Sequence, residues 1–157
     1  MRRLCLLALL GVVVAACGPR YADLPLTPSQ TIAEAEDALR RGEYATAANG
    51  FADYLATGQQ TFRARAYYQL AQAQYGLENY EGALATLGDL EAEYPGERWA
   101  QPEALRGDIF YAQGRRVDAI EAWQRAWEQG TDSDRAFLRA RIEECGNELS
   151  TPERDVL

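Results

Sequence analysis

The amino-acid sequence predicts an all-α fold, a superhelical array of about three helix hairpins plus a capping helix, and three observations carry that reading. Alanines stand at 47, 83 and 119, so the interval is 83 − 47 = 36 and 119 − 83 = 36. Four residues beyond each alanine stand Phe51, Leu87 and Trp123, and three further on Tyr54, Leu90 and Ala126, so one helical face recurs in register. Finally, nothing between Thr27 and Arg141 alternates with period two or shows a hairpin dipeptide between β-branched runs, so strands have no place to form.

Taken in order, residues 1–16 read as a leader and residues 17–27 as a flexible tether containing Pro19 and Pro25 without an apolar period. Thr27-Pro28-Ser29-Gln30 is a helix start, with Thr27 as N-cap, Pro28 at the first helical position and Gln30 closing a capping box. The repeat domain then covers residues 28–146. Its three units span about 28–58, 61–95 and 99–130, each a helix pair joined by a short turn. The turns align as Gly42-Glu43-Tyr44, Glu78-Asn79-Tyr80 and Gly114-Arg115-Arg116. The helix before each turn has its own stripe, clearest as Phe62, Ala66, Leu70 and Ala73. A small residue is needed where two helices cross closely, which accounts for the alanines. Thr131-Asp132-Ser133-Asp134 opens a capping helix over 132–145, with Ala136, Phe137, Ala140 and Ile142 as its apolar face covering the end of the stack. Residues 147–157 are a tail or the start of a further unit, since Thr151-Pro152-Glu153 again has the form of a helix start.

The register resembles the tetratricopeptide repeat. Tyr67, Leu70, Ala71, Tyr80, Ala83, Leu87, Leu90 and Pro95 of the middle unit stand where that family places its large and small packing residues and its terminal proline. Glu34 in the first unit and Arg106 and Arg116 in the third depart from it, occupying sites the family usually fills with apolar or aromatic residues. A period of 36 in place of 34 suggests slightly longer connections, as in periplasmic relatives of the assembly and peptidoglycan-coordinating type.

The leader has its own resemblance. Arg2 and Arg3 precede an apolar run from Leu4 to Ala16, shorter than the ~20 residues that span a bilayer. Val14-Ala15-Ala16 before Cys17 resembles the lipobox of a bacterial lipoprotein. The resemblance implies a diacylglycerol and an N-acyl lipid on Cys17, which becomes the first mature residue, and a location in the cell envelope. Gly18, where that class carries Asp for inner-membrane retention, implies anchoring to the outer membrane at its periplasmic face. The other reading is an ordinary secretory leader with an incidental cysteine.

Without residues 1–16 the chain keeps 16 − 2 = 14 basic residues against 24 acidic ones, a formal charge of −10. Nucleic acid and anionic headgroups repel such a chain. Every basic residue is Arg, and Lys and His are absent, which removes the commonest acid–base groups and zinc ligands. Cys5 leaves with the leader and Cys17 is lipidated, so Cys145 has no partner and reads as a buried small hydrophobe. Acidic pairs such as Glu34 with Asp37 read as solvated helix surface, and no phosphate loop or dinucleotide fingerprint occurs. The chain therefore reads as a non-enzyme with no cofactor beyond its lipid.

What remains is surface. In the resembled family the first helices of successive units line a groove. Carried over, this gives Ile32, Glu36, Leu39 and Arg40 from the first unit, Arg65, Tyr68, Gln72 and Tyr75 from the second, and Gln101, Asp108 and Tyr111 from the third. Tyr and Arg are favoured interface anchors, so these residues form a candidate surface for a protein or peptide partner. Tyr68, Tyr75 and Tyr111 equally read as packing residues between neighbouring helices. The function expected is a lipid-anchored periplasmic scaffold in outer-membrane protein assembly or envelope biogenesis. The alternative is the N-terminal repeat module of a larger lipoprotein that activates a cell-wall synthase.

Overall fold

A computed structural model describes residues 26–154. The leader, Cys17 and most of the tether lie outside the described residues, as do 155–157. Among those described, eight helices follow one another: α1 (Pro28–Arg40), α2 (Tyr44–Ala56), α3 (Arg63–Gly76), α4 (Tyr80–Glu93), α5 (Ala100–Ala112), α6 (Arg116–Gln129), α7 (Asp132–Glu148) and a single turn, α8 (Thr151–Arg154). The fold is an all-α array, with α1–α2, α3–α4 and α5–α6 as its hairpins. The second helices begin at 44, 80 and 116, so the 36-residue register survives intact into three dimensions.

The starts and stops follow from local chemistry. Thr27 and Gln30 form the expected capping box, Thr27 N donating to Gln30 Oε1 at 2.9 Å. Thr131 and Asp134 form a second one at the head of α7. Each hairpin turn is the same device used three times. Gly42, Glu78 and Gly114 take positive φ of 74°, 58° and 75°. The next N–H, on Glu43, Asn79 and Arg115, donates back to Ala38 O, Gln74 O and Phe110 O at 2.9 Å each. Glu78 makes this turn without glycine's freedom, so the middle unit carries a strained backbone position that its neighbours avoid.

Within the hairpins the crossing points are fully buried: Ala47, Ala83 and Ala119 have no exposure. A second row at the same interval comprises Ala35, Ala71 and Gly107, all buried. The third member is smaller because its partner is larger. A Cβ built on Gly107 would run into the indole of Trp123, whereas at the same register Ala35 shares its cluster with Phe51 and Ala71 shares its cluster with Leu87. The core is continuous in three clusters: α1–α2–α3 around Phe51 and Tyr54, α3–α4–α5 around Leu87 and Ile109, and α5–α6–α7 around Trp123.

Joints between units use arginine. Arg63 donates to Leu55 O at 2.7 Å and also pairs with Glu93, while Tyr67 donates to Glu93 at 2.8 Å. Seventy-two residues on (135 − 63), Arg135 donates to Trp127 O at 3.1 Å, repeating the clasp between α6 and α7. The joint between α4 and α5 has Trp99 in that place, edge-on to Tyr94 at 5.8 Å, and the chain turns there through Pro95 and Gly96 (φ 89°). α4 meets α5 more lightly than any other consecutive pair from α1 to α7. Arg106 bridges it, binding Glu91 at 2.8 Å and Glu103 at 2.9 Å.

Two expectations for the stripes need correction. Phe62 precedes α3 as its N-cap residue and is 48% exposed, because the helix starts one residue later and turns Ala66, Ala71 and Ala73 inward. In α7 the buried face is Leu138 and Cys145 with Ile142 packed beside them, while Ala136, Phe137 and Ala140 point outward. The helix is rotated because Leu138 and Cys145 fill the space over Ala119, Ile120 and Trp123. Cys145 is buried as expected, and its Sγ lies 3.8 Å from Arg116 O as donor. Burial pushes its thiol up, so it stays protonated and inert.

Two substitutions test this frame with opposite signs. Glu78→Gly removes the left-handed strain and should raise unfolding stability by about 1 kcal/mol in urea titration. Gly107→Ala should lower it by about 1–3 kcal/mol, because Trp123 has nowhere to move. Equal midpoints for the two variants would contradict both assignments.

Candidate functional site

Two adjoining open clefts lie along α3 and α5, the first helices of successive units, the first bordered also by α7 and the second by the end of α4. The first holds about 240 Å³. Tyr68 and Gln72 come from α3, Gln101, Leu105 and Asp108 from α5, and Asp134, Phe137 and Leu138 from α7. The second, about 230 Å³, lies at the lightly packed α4–α5 joint and is lined by Arg65, Tyr68, Leu90, Trp99, Gln101 and Pro102. Tyr68 and Gln101 border both, so the two form one groove.

Five of the eleven expected groove residues therefore line it: Arg65, Tyr68, Gln72, Gln101 and Asp108. Glu36 reaches its edge by pairing with Arg65 at 3.0 Å. The others do not belong to it. Ile32 is buried in the α1–α2–α3 core and Leu39 packs against the same cluster, because the narrow apolar face of α1 must supply that core. Arg40 is exposed and paired with Asp37 at 2.9 Å. Tyr75 packs against Tyr80 with ring centroids 5.9 Å apart, on the Leu87 cluster. Tyr111 packs tilted against Trp123 with ring centroids 5.7 Å apart and donates to Glu148 at 3.2 Å, so α7 covers it from one side.

Phe137 and Trp99 were not among the expected residues. Phe137 is 62% exposed on the groove side of α7. A signal for it existed: Arg65, Gln101 and Phe137 are spaced by 36, so α7 stands in the register of a first helix as well as covering the end. Trp99, the N-cap residue of α5, had no such signal, since its register mates are Arg63 and Arg135.

Polar groups in the groove are held in place. Asp108 Oδ1 accepts from Trp123 Nε1 at 2.9 Å and pairs with Arg141 at 2.6 Å, and the Arg141 guanidinium sits 4.6 Å from the Trp123 ring centroid. Gln72 donates to the Tyr68 phenol at 3.1 Å. Burial, then the charge of Asp108, pushes the Tyr68 phenol up, so it remains a neutral donor and acceptor. The Thr131 hydroxyl, then its backbone N–H, hold Asp134 below the usual carboxylate range, so it stays ionised. Aromatic faces, amides and carboxylates at fixed positions are the chemistry of recognition. Among the described residues no cluster of three or more His, Cys, Asp or Glu is gathered to hold a metal ion. No described helix is long and apolar enough to cross a membrane.

Helix hairpins stacked in register around a groove define a helical-repeat protein. Residues 14–147 match the tetratricopeptide repeat-like domain, and the chain belongs to that family. Domains of this kind are protein–protein interaction scaffolds, generally without catalysis. A comparison with curated proteins returns no match.

The Asp108 contacts give a measurable consequence. Asp108→Ala leaves Trp123 Nε1 with only Ala104 O at 3.2 Å and frees Arg141. Stability should fall by about 1–2 kcal/mol, with faster amide exchange confined to residues 132–148. Uniform exchange across the chain would show that Asp108 does not hold α7.

Proposed function

We propose that this chain is a non-enzymatic, lipid-anchored scaffold on the periplasmic face of the outer membrane. It holds a protein or peptide partner in the α3–α5–α7 groove, in outer-membrane protein assembly or envelope biogenesis. The observation that carries binding is the groove itself, open beside an exposed Phe137. The anchor rests on Cys17 and the lipobox-like residues before it. A diacylglyceryl and an N-acyl chain together make attachment effectively permanent, at about 0.8 kcal/mol per buried methylene. With lipid as its only prosthetic group, such a protein brings its partner to the membrane surface.

Site-specific photo-crosslinking in cells tests both parts. A crosslinker at Gln101 should trap a discrete partner in the membrane fraction, and one at Glu121, exposed on α6, should not. Cys17→Ala should move the protein to the soluble fraction with its helix content unchanged. Equal labelling from both positions would remove the groove, and a Cys17→Ala protein still bound to membranes would remove the anchor.

A further inference from the structure

The two clefts of the groove differ in chemistry, and the difference describes the partner. In the α3–α5–α7 cleft the floor is apolar, from Ala104, Leu105 and Leu138, with Phe137 standing at its side. Its charges are Asp108 and Asp134. Asp108 is matched by Arg141. Asp134 pairs with no cation among the described residues: its Oδ2 accepts from the Thr131 N–H and hydroxyl at 2.9 and 2.7 Å, and neighbouring Arg135 is drawn instead to Asp132 and the Trp127 carbonyl. Arg65, the cation at the adjoining cleft, is already matched by Glu36. So every cation lining the groove is paired within the chain, and a carboxylate is left over. The adjoining cleft, with Leu90, Trp99 and Pro102 around Tyr68, is mainly apolar and aromatic.

We propose that the partner presents a basic segment, in which an arginine or lysine side chain occupies the α3–α5–α7 cleft and a bulky apolar side chain occupies the cleft at Trp99. This rests on the binding role of the groove proposed above. A long basic side chain fits because its aliphatic stem covers Leu105 and Leu138 while its head reaches Asp134. Phe137 adds an aromatic face, and pairing of ring with guanidinium is already in use here, since Arg141 lies 5.6 Å from the Phe137 centroid. The charge of the chain, −8 over its full length, draws the same class of partner from a distance.

The test is fluorescence anisotropy on the full chain in detergent, with three labelled dodecapeptides. One carries spaced Arg and Leu residues, the second has each Arg replaced by Glu, and the third has each Leu replaced by Ser. The Arg–Leu peptide should bind, and the other two at least about tenfold more weakly, a difference of roughly 1.4 kcal/mol. Asp134→Asn, which keeps an acceptor for the cap, and Phe137→Ala, at an exposed position, should each weaken that binding about fivefold without lowering the melting midpoint by more than a degree or two. Equal or tighter binding of the Glu peptide overturns the proposal, as does Arg–Leu binding that neither substitution changes. If the Glu peptide binds and Phe137→Ala abolishes it, the groove stands and its basic partner falls. If no peptide binds, the basic segment falls, and crosslinking from Gln101 separately decides whether the groove binds at all.

Discussion

The close crossing of two helices at a small residue, repeated every 36 positions, is the constraint on which the array depends. With Ala47, Ala83 and Ala119 at the contact, the paired helices approach until the large residues of the next turn, Phe51, Leu87 and Trp123, are wholly enclosed. The opposite helix must then yield in proportion to the size of what it meets. Alanine serves at positions 35 and 71, in the clusters of Phe51 and Leu87, but against an indole only Gly107 fits. The hairpin turns serve the same constraint. A left-handed residue closing the first helix lets the second begin within two residues, which holds the small residues opposite one another.

Where that packing is lightest, the groove opens. Arg63 and Arg135 tie a first helix to the end of the helix before it, but Trp99 stands at the α4–α5 joint, and the aromatic leans on Tyr94 without a backbone carbonyl to clasp. One cleft lies on the groove side of this joint and another, lined by Tyr94, Glu103 and Gln129, on its far side. The ion pair across it is Arg106–Glu91, and Arg106 is in turn held by Glu103 on its own helix, an almost buried carboxylate that also binds Arg125 of α6. Two guanidinium groups around one enclosed carboxylate satisfy its charge where a lone carboxylate would be costly. The joint thus combines the Leu87–Leu105–Ile109 contact with a single ion pair and is packed more lightly than the hairpins, which leaves room for a ligand between units without breaking either hairpin's core.

Much of this fold was legible in the sequence because it is periodic. The register, the capping box at Thr27, the helix start in the capping cluster from Thr131, the proline after α4 and the burial of Cys145 all follow from spacing and local chemistry. Helix rotation was less legible. In α1 the apolar residues are few, and Ile32 and Leu39 are consumed by the core before any could face a groove. In α7 the presence of Phe137, Ala136 and Ala140 suggested one face, while Leu138 and Cys145 took the inside because they match the space over Trp123. The departures at Arg106 and Arg116 were visible as anomalies, but beyond Glu103, one helical turn from Arg106, their partners Glu91 and Glu148 lie 15 and 32 residues away and only the packed array brings them together.

Those pairings also decide what the surface offers. The described residues include 13 arginines, of which ten are ion-paired within the chain, leaving Arg98, Arg139 and Arg154. The same pairs use ten of 22 acidic residues, leaving twelve. Positive charge is therefore mostly matched within the chain, in part between helices through Arg63, Arg65, Arg106, Arg116, Arg125 and Arg141, and the surplus facing water is negative. A partner arriving at this surface meets carboxylates whose own counter-ions are solvent, so its cations displace salt and not an arginine. That asymmetry steers basic segments toward the array and turns away anionic ones, while the clefts beside Tyr68 decide which of the basic segments can stay.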